Sequence, residues 1–176
     1  MPLNTHVPSL VIGAAIAIVS VLSAVVVFGT DFIDFKQNTK TGKVKMIFKD
    51  FTIIGQDSIN AAHAVHCAQE AGKFWEFHDI LYNNWTGENN GWASPSNIGG
   101  FAKQLGLNEE DLSSCMSEAK YLDVIKASNS DAKTLGLTGT PGFFIIGPDN
   151  SITKLSGAQP YEVFEEIFNS KLEKVK

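Results

Sequence analysis

Arginine is absent from the 176 residues, and the whole basic complement of 14 is lysine against 19 acidic residues, a net charge of −5. Arginine is the side chain that reads phosphates and base edges with a two-pronged fork, so nucleic acid is excluded as a partner. Cysteine is nearly absent too. Cys67 and Cys115 are the whole supply, and their spacing rules out any Cys-x-x-Cys. Outside the cytoplasm, two cysteines suggest a bonded pair; inside it, they suggest two inert buried thiols. No internal repeat and no low-complexity linker interrupts the chain. Apolar residues make up 44% of it and include twelve Phe, enough for a real core.

The longest apolar stretch is "LVIGAAIAIVSVLSAVVVFG", residues 10–29, which carries no charge. About 20 apolar residues suffice to cross a bilayer as a helix. No Lys or Arg precedes the run, and it exceeds the apolar region of a secretory signal. Residues 1–30 are therefore expected to form a retained transmembrane anchor, with a cleaved signal segment as the alternative. Residues 31–176 form the domain. Lys36, Lys40, Lys43 and Lys45 follow the run, and charge alone would hold the domain in the cytoplasm. Long domains cross regardless of charge, so topology stays open by this route.

Beyond the run, "DFIDFKQNTKTGKVKMIF" (31–48) offers two apolar stretches, Phe32–Phe35 and Val44–Phe48, joined by about eight polar residues, a hairpin by local reading. "VKMIFKDF" reads as a strand. Helical patterns follow. Asp57-Ser58 is placed to cap "INAAHAVHCAQEA", which Gly72 closes. "KFWEFHDILYNNW" carries Phe74, Phe77, Ile80 or Leu81 and Trp85 at helical spacing. Ser94-Pro95 reads as N-cap and first helical residue for a segment ended by Gly106. Asn108 with Asp111 resembles a capping box, and "YLDVIKASNSDAKTL" ends at Gly136. "GFFIIG" is then a buried strand, "GPDN" a turn, "SITKLSG" its antiparallel partner, and "YEVFEEIFNSKLEKVK" an amphipathic helix with a solvated Lys-rich end. The order predicts an α/β fold with a large helical block, about 57–136, inserted into it.

A Thr-Pro directly before a buried strand is unusual, because proline lacks the ladder donor. Together, "VKMIFKDF", "AAHAVHCAQEAGKFWEFHDILYNN", "CMSEAKY", "DAKTLGLTGTPGFFIIG" and "GAQPYEVFEEIF" stand in an order that resembles the DsbA family of thioredoxin-fold thiol–disulfide oxidoreductases, over roughly residues 43–172. The resemblance implies a thioredoxin-like fold with an inserted helical subdomain, acting on extended segments of extracytoplasmic proteins. It implies a cis Pro141 with Thr140 before it as the substrate-binding residues, since backbone beside such a proline pairs with an extended peptide. It also implies that Cys67 and Cys115, which match secondary cysteines of the family, form a structural disulfide, and that the domain faces outside.

One departure governs the functional reading. The family's chemistry needs a Cys-x-x-Cys at the start of the first helix, where the helix N-terminus favours a thiolate. Parallel strands need a crossover of a dozen or more residues. The eight of Lys36–Lys43 cannot supply one, so the fold is expected to be incomplete, lacking the first crossover helix and any catalytic residue. A DsbA-like protein without dithiol exchange is the expectation; the alternatives are a silent peptide-binding module and a decayed, internally deleted copy. His63, His66, Cys67 and His78 invite a metal reading, because positions i and i+4 share a helix face. With no second close-spaced ligand pair in the sequence, structural roles are expected, and no metal or cofactor. Asn84-Trp85-Thr86 has the form of a glycosylation sequon.

Overall fold

The computed structural model describes residues 44–173 and the backbone course of residues 23–28. Four strands form one sheet: β1 (Ser23–Phe28), β2 (Val44–Lys49), β3 (Gly142–Ile146) and β4 (Ile152–Ser156), in the spatial order β2-β1-β3-β4. β1 runs parallel to β2, pairing Ser23 with Val44 through Phe28 with Lys49. It runs antiparallel to β3, pairing Ala24 with Ile146 and Phe28 with Gly142. β3 and β4 form the expected hairpin, Phe143 opposite Leu155.

This arrangement corrects two expectations. The end of the apolar run is a central strand, not part of a membrane helix: "SAVVVF" is rich in β-branched residues, which favour the pleated state, and partners on both sides satisfy its backbone. Among the described residues no helix is long and apolar enough to cross a membrane; the rest of the run, residues 10–22, lies outside them. The first strand is therefore present, and it begins the sheet earlier than Phe32–Phe35, a stretch that also lies outside the described residues. Residues 29–43 join the parallel pair, longer than the eight polar residues first assigned to the connection.

Five helices stand between β2 and β3: α1 (Gln56–Gln69), α2 (Phe74–Asn83), α3 (Pro95–Gln104), α4 (Glu109–Ser117) and α5 (Leu122–Thr134). Ser94 caps α3, its Oγ accepting from the Asn97 N–H, with Pro95 in the first turn. Asn108 caps α4, its Oδ1 accepting from the N–H groups of Glu110 and Asp111. Asp57 is a correction. α1 already starts at Gln56, with Gly55 at its N-cap, and the buried Asp57 carboxylate accepts from the Gly91 N–H at 2.7 Å, tying the α2–α3 loop to α1. The block has its own core, with Phe77, Ile98, Ala64 and Ala102 essentially sealed from solvent.

The sheet is covered on both faces, which explains the unbroken apolar run of β3. On one face Phe143 and Ile145 meet Phe164 and Phe168 of α6 (Tyr161–Glu173), the Phe143 and Phe164 rings edge-to-face at 4.8 Å. On the other, Phe144 joins Phe51, Ala132 and Leu137 beneath α5. The end of α6 is not the solvated tail expected. Lys171 is only 4% exposed, and its ammonium donates to the Ser151 carbonyl at 3.0 Å and the Ser151 hydroxyl at 2.9 Å, fastening α6 to the β3–β4 turn.

Candidate functional site

The site is built where α5 hands the chain to β3. Gly136, at φ +69°, ends α5 in the left-handed conformation that stops a helix, and the Leu137 N–H reaches back to the Ala132 carbonyl at 3.0 Å. Leu137 is thereby pushed into the core, where its Cδ2 would lie 2.6 Å from a Cβ at position 142. That contact is why the strand opens on glycine. Between these two points, Thr138 and Gly139 are exposed, Thr140 is half-buried and Pro141 is buried. The Thr140–Pro141 peptide is cis. The Pro141 carbonyl accepts from the Gly157 N–H at 2.8 Å, so the proline is clamped to the end of β4.

Because β1 and β4 flank β3, the ladder positions inside β3 are occupied. The backbone of Gly139 and Thr140 lies ahead of the ladder, and among the described residues it has no hydrogen-bond partner. β1 ends beside it: Phe28 pairs with Gly142, one residue beyond Pro141. The residues that follow Phe28 are Gly29, Thr30, Asp31 and Phe32, none a cysteine.

Cys67 and Cys115 form a disulfide between α1 and α4, deep in the helical block. An open groove beside it is lined by Glu70, Asp111, Ser114, Glu118 and Lys120 among others, and by no residue of the 137–142 segment. The two sets of sequence-predicted residues are thus not brought together.

The histidines serve the junction between block and sheet. His66 Nε2 lies 2.7 Å from the buried Asp50 carboxylate, and its ring stacks on Tyr121 with centroids 5.5 Å apart. His63 Nε2 accepts from the Tyr121 N–H at 3.4 Å, and burial, with a smaller push from His66, holds its pKa below the ordinary value. His78 packs edge-on against Phe48 at 5.2 Å; burial lowers its pKa too, against the opposing pull of Asp79. Sequence reasoning missed the partners that lock this junction. Ser128 donates to the Asp50 carbonyl at 2.7 Å, and Asn129 exchanges two hydrogen bonds of 2.8 Å with Thr52. Lys49 also pairs with Asp131. Each spans 77 or more positions, so no local pattern could reveal it.

Comparison with known proteins agrees with this architecture. A family model described as Thioredoxin matches residues 30–168. No curated protein matches the chain. Among solved structures, the thiol-disulfide exchange protein alpha-DsbA2 from Wolbachia pipientis is 24% identical, with a TM-score of 0.69 over 84% of this chain and 81% of that one. BdbD from Bacillus subtilis, in its oxidised form, is 19% identical with a TM-score of 0.72, covering 86% of this chain and 88% of its own. Alpha-DsbA1 from Wolbachia pipientis gives 19% and 0.73, with 87% of each chain covered. The chain belongs to the thioredoxin family, with the fold of the DsbA-type proteins.

Proposed function

We propose that this DsbA-like protein holds extended polypeptide segments of extracytoplasmic proteins at the Thr140–Pro141 edge, and that it carries out no dithiol exchange of its own. The observation that carries the reading is the fate of its cysteines: both are joined to each other in the helical block, and the segment leaving β1 beside Pro141 has none. Exchange requires a thiolate that attacks a disulfide sulfur and a second thiol that resolves the mixed disulfide. Holding a peptide requires only free backbone groups on a rigid edge, with pairing to an extended partner. Among the described residues Gly139 and Thr140 offer such groups, braced by the clamped Pro141 and by Leu137 behind it. A disulfide between the chain's sole cysteines favours an oxidising, extracytoplasmic setting.

Two measurements test this. In an insulin-type reduction assay the chain turns over no substrate; turnover abolished by Cys67→Ser or Cys115→Ser would overturn the claim about exchange. In fluorescence anisotropy, a labelled extended peptide binds the oxidised chain, and N-methylation of alternate peptide groups abolishes binding while shuffling its side chains does not. Equal binding of the N-methylated peptide would overturn the backbone-pairing claim.

A further inference from the structure

Beyond peptide holding, the surroundings of the disulfide contain a second chemistry. His63 and Cys67 lie four positions apart on one face of α1, and Cys115 arrives from α4. The ligand-capable atoms of these three buried residues all lie within 4.8 Å of one another. Glu70, one turn beyond Cys67, places Oε1 3.6 Å from Cys115 Sγ. We propose that reduction of the Cys67–Cys115 disulfide converts this cluster into a tetrahedral zinc site held by both thiolates and the His63 ring, with the exposed Glu70 carboxylate swinging in from beside Cys115 as the fourth ligand.

The chemistry balances with a dithiol as reductant. It gives two electrons and two protons to the Cys67–Cys115 bond and becomes a disulfide itself, leaving two thiols; zinc then displaces both thiol protons as it binds. The donor set is one zinc favours, sulfur and imidazole nitrogen with a carboxylate. The Cα atoms of the two cysteines are 6.0 Å apart, so side-chain rotation alone can seat the sulfurs on either side of a metal. His63 already presents a lone pair at Nε2, spent on a long 3.4 Å bond from the Tyr121 N–H that a metal can replace. Among the described residues Lys120 at 2.8 Å and the Tyr121 hydroxyl at 3.0 Å both engage Glu70 Oε1 and leave Oε2 for a metal, the kind of outer partners that fix metal ligands. The groove against the cysteines gives a path inward. Glu70, Asp111 and Glu118 outnumber Lys120 among its charged residues, a balance that draws cations. While the disulfide stands, neither sulfur is a thiolate and the site cannot form.

Cobalt titration of the full chain tests this, with zinc displacement read against a chromophoric chelator. The phosphine-reduced protein should take up one Co²⁺ per chain, with a thiolate charge-transfer band and the intense visible bands of tetrahedral cobalt; the oxidised protein should show neither. His63→Gln should weaken zinc binding by more than about tenfold, the loss that even a disturbed outer partner produces. Its fold is checked by the melting of the oxidised variant. Glu70→Ala, an exposed change, should weaken zinc while keeping the thiolate band. A reduced chain without that band would overturn the proposal, as would a folded His63→Gln chain with unchanged zinc affinity. Should His63→Gln fail to fold, unchanged affinity in Glu70→Ala overturns it.

Discussion

Breaking the Cys67–Cys115 bond should cost this protein more stability than most single substitutions. The cysteines are 48 positions apart, and closing a loop of that size removes about 4 kcal/mol of unfolded-chain entropy in the chain-entropy model. Both sulfurs sit in the block core with Phe77, Leu112 and Ala64, so reduction leaves packing nearly intact and the effect is chiefly that of the constraint. With a urea dependence of about 2 kcal/mol per molar, the midpoint should fall by about 2 M on reduction. The comparison is oxidised against phosphine-reduced protein, both with a chelator present so that no metal replaces the bond. Trp75, Trp85 and Trp92 all lie within or beside the helices of the block, so tryptophan fluorescence follows the block and far-ultraviolet circular dichroism follows the whole chain. A midpoint that moves by less than a quarter of the expected shift would refute the reasoning. So would a shift seen by dichroism and absent from fluorescence, because the constraint acts within the block.

Removing the bridge from Asp57 to the α2–α3 loop, as Asp57→Ala, strands the Gly91 N–H and should cost about 1.5–3 kcal/mol, read from urea unfolding with faster hydrogen exchange at Gly91. Phe164→Ala opens a cavity between β3 and α6 and should cost about 3–5 kcal/mol in the same measurement. His78 and His63 are held neutral by burial, with pKa values below the ordinary 6.5. The unfolded chain therefore binds more protons below that value, so their contribution to stability is complete above pH 6.5 and lost progressively as pH falls below it through the lower folded values. Thermal melts from pH 7.5 down to 5 (all about the histidine range) should show a decline that His78→Leu makes shallower.

What the sequence made legible was local. Ser94-Pro95, Asn108, the glycines after α1, α3 and α5, and the β3–β4 hairpin are readable because a cap or turn is settled by a few neighbouring residues. The misreading of residues 23–28 at the end of the apolar run has a physical origin as well. An apolar run does not by itself distinguish a helix from a buried strand, and length decided for the helix. The β-branched "VVV" was the local signal for a strand, but only pairing with Val44–Lys49 and Gly142–Ile146 selects it. Lys171 misled in the opposite sense: its charge suggested solvent, and its partners at Ser151 are 20 positions away. At the candidate site, the cis Thr140–Pro141 peptide was legible through the family resemblance. The third member of the cysteine cluster and its neighbour Glu70 were not, because Cys115 comes from another helix and Glu70 matters only beside it.

The position of the cysteines within their helices bears on both functional readings. A reactive thiolate is usually made at a helix N-terminus, where unpaired N–H groups and the positive end of the dipole stabilise it. Cys67 lies in the last turn of α1, which ends at Gln69, and Cys115 in the last turn of α4, which ends at Ser117. Both therefore sit at the negative ends of their helices, where an anion gains nothing from the backbone and a cation does. Once reduced, they are poorly placed to attack a substrate disulfide and well placed to share a divalent ion, since the same dipoles that oppose a free thiolate favour the metal between two of them. The β1–β3 register adds that β1 reaches as far as the partner of Gly142, and the residues after Phe28 are Gly29-Thr30-Asp31, so the difference there is one of residue type and not a loss of the strand. The proposed peptide edge without a cysteine and a cysteine pair without a helix N-terminus are two consequences of where this chain keeps its sulfur.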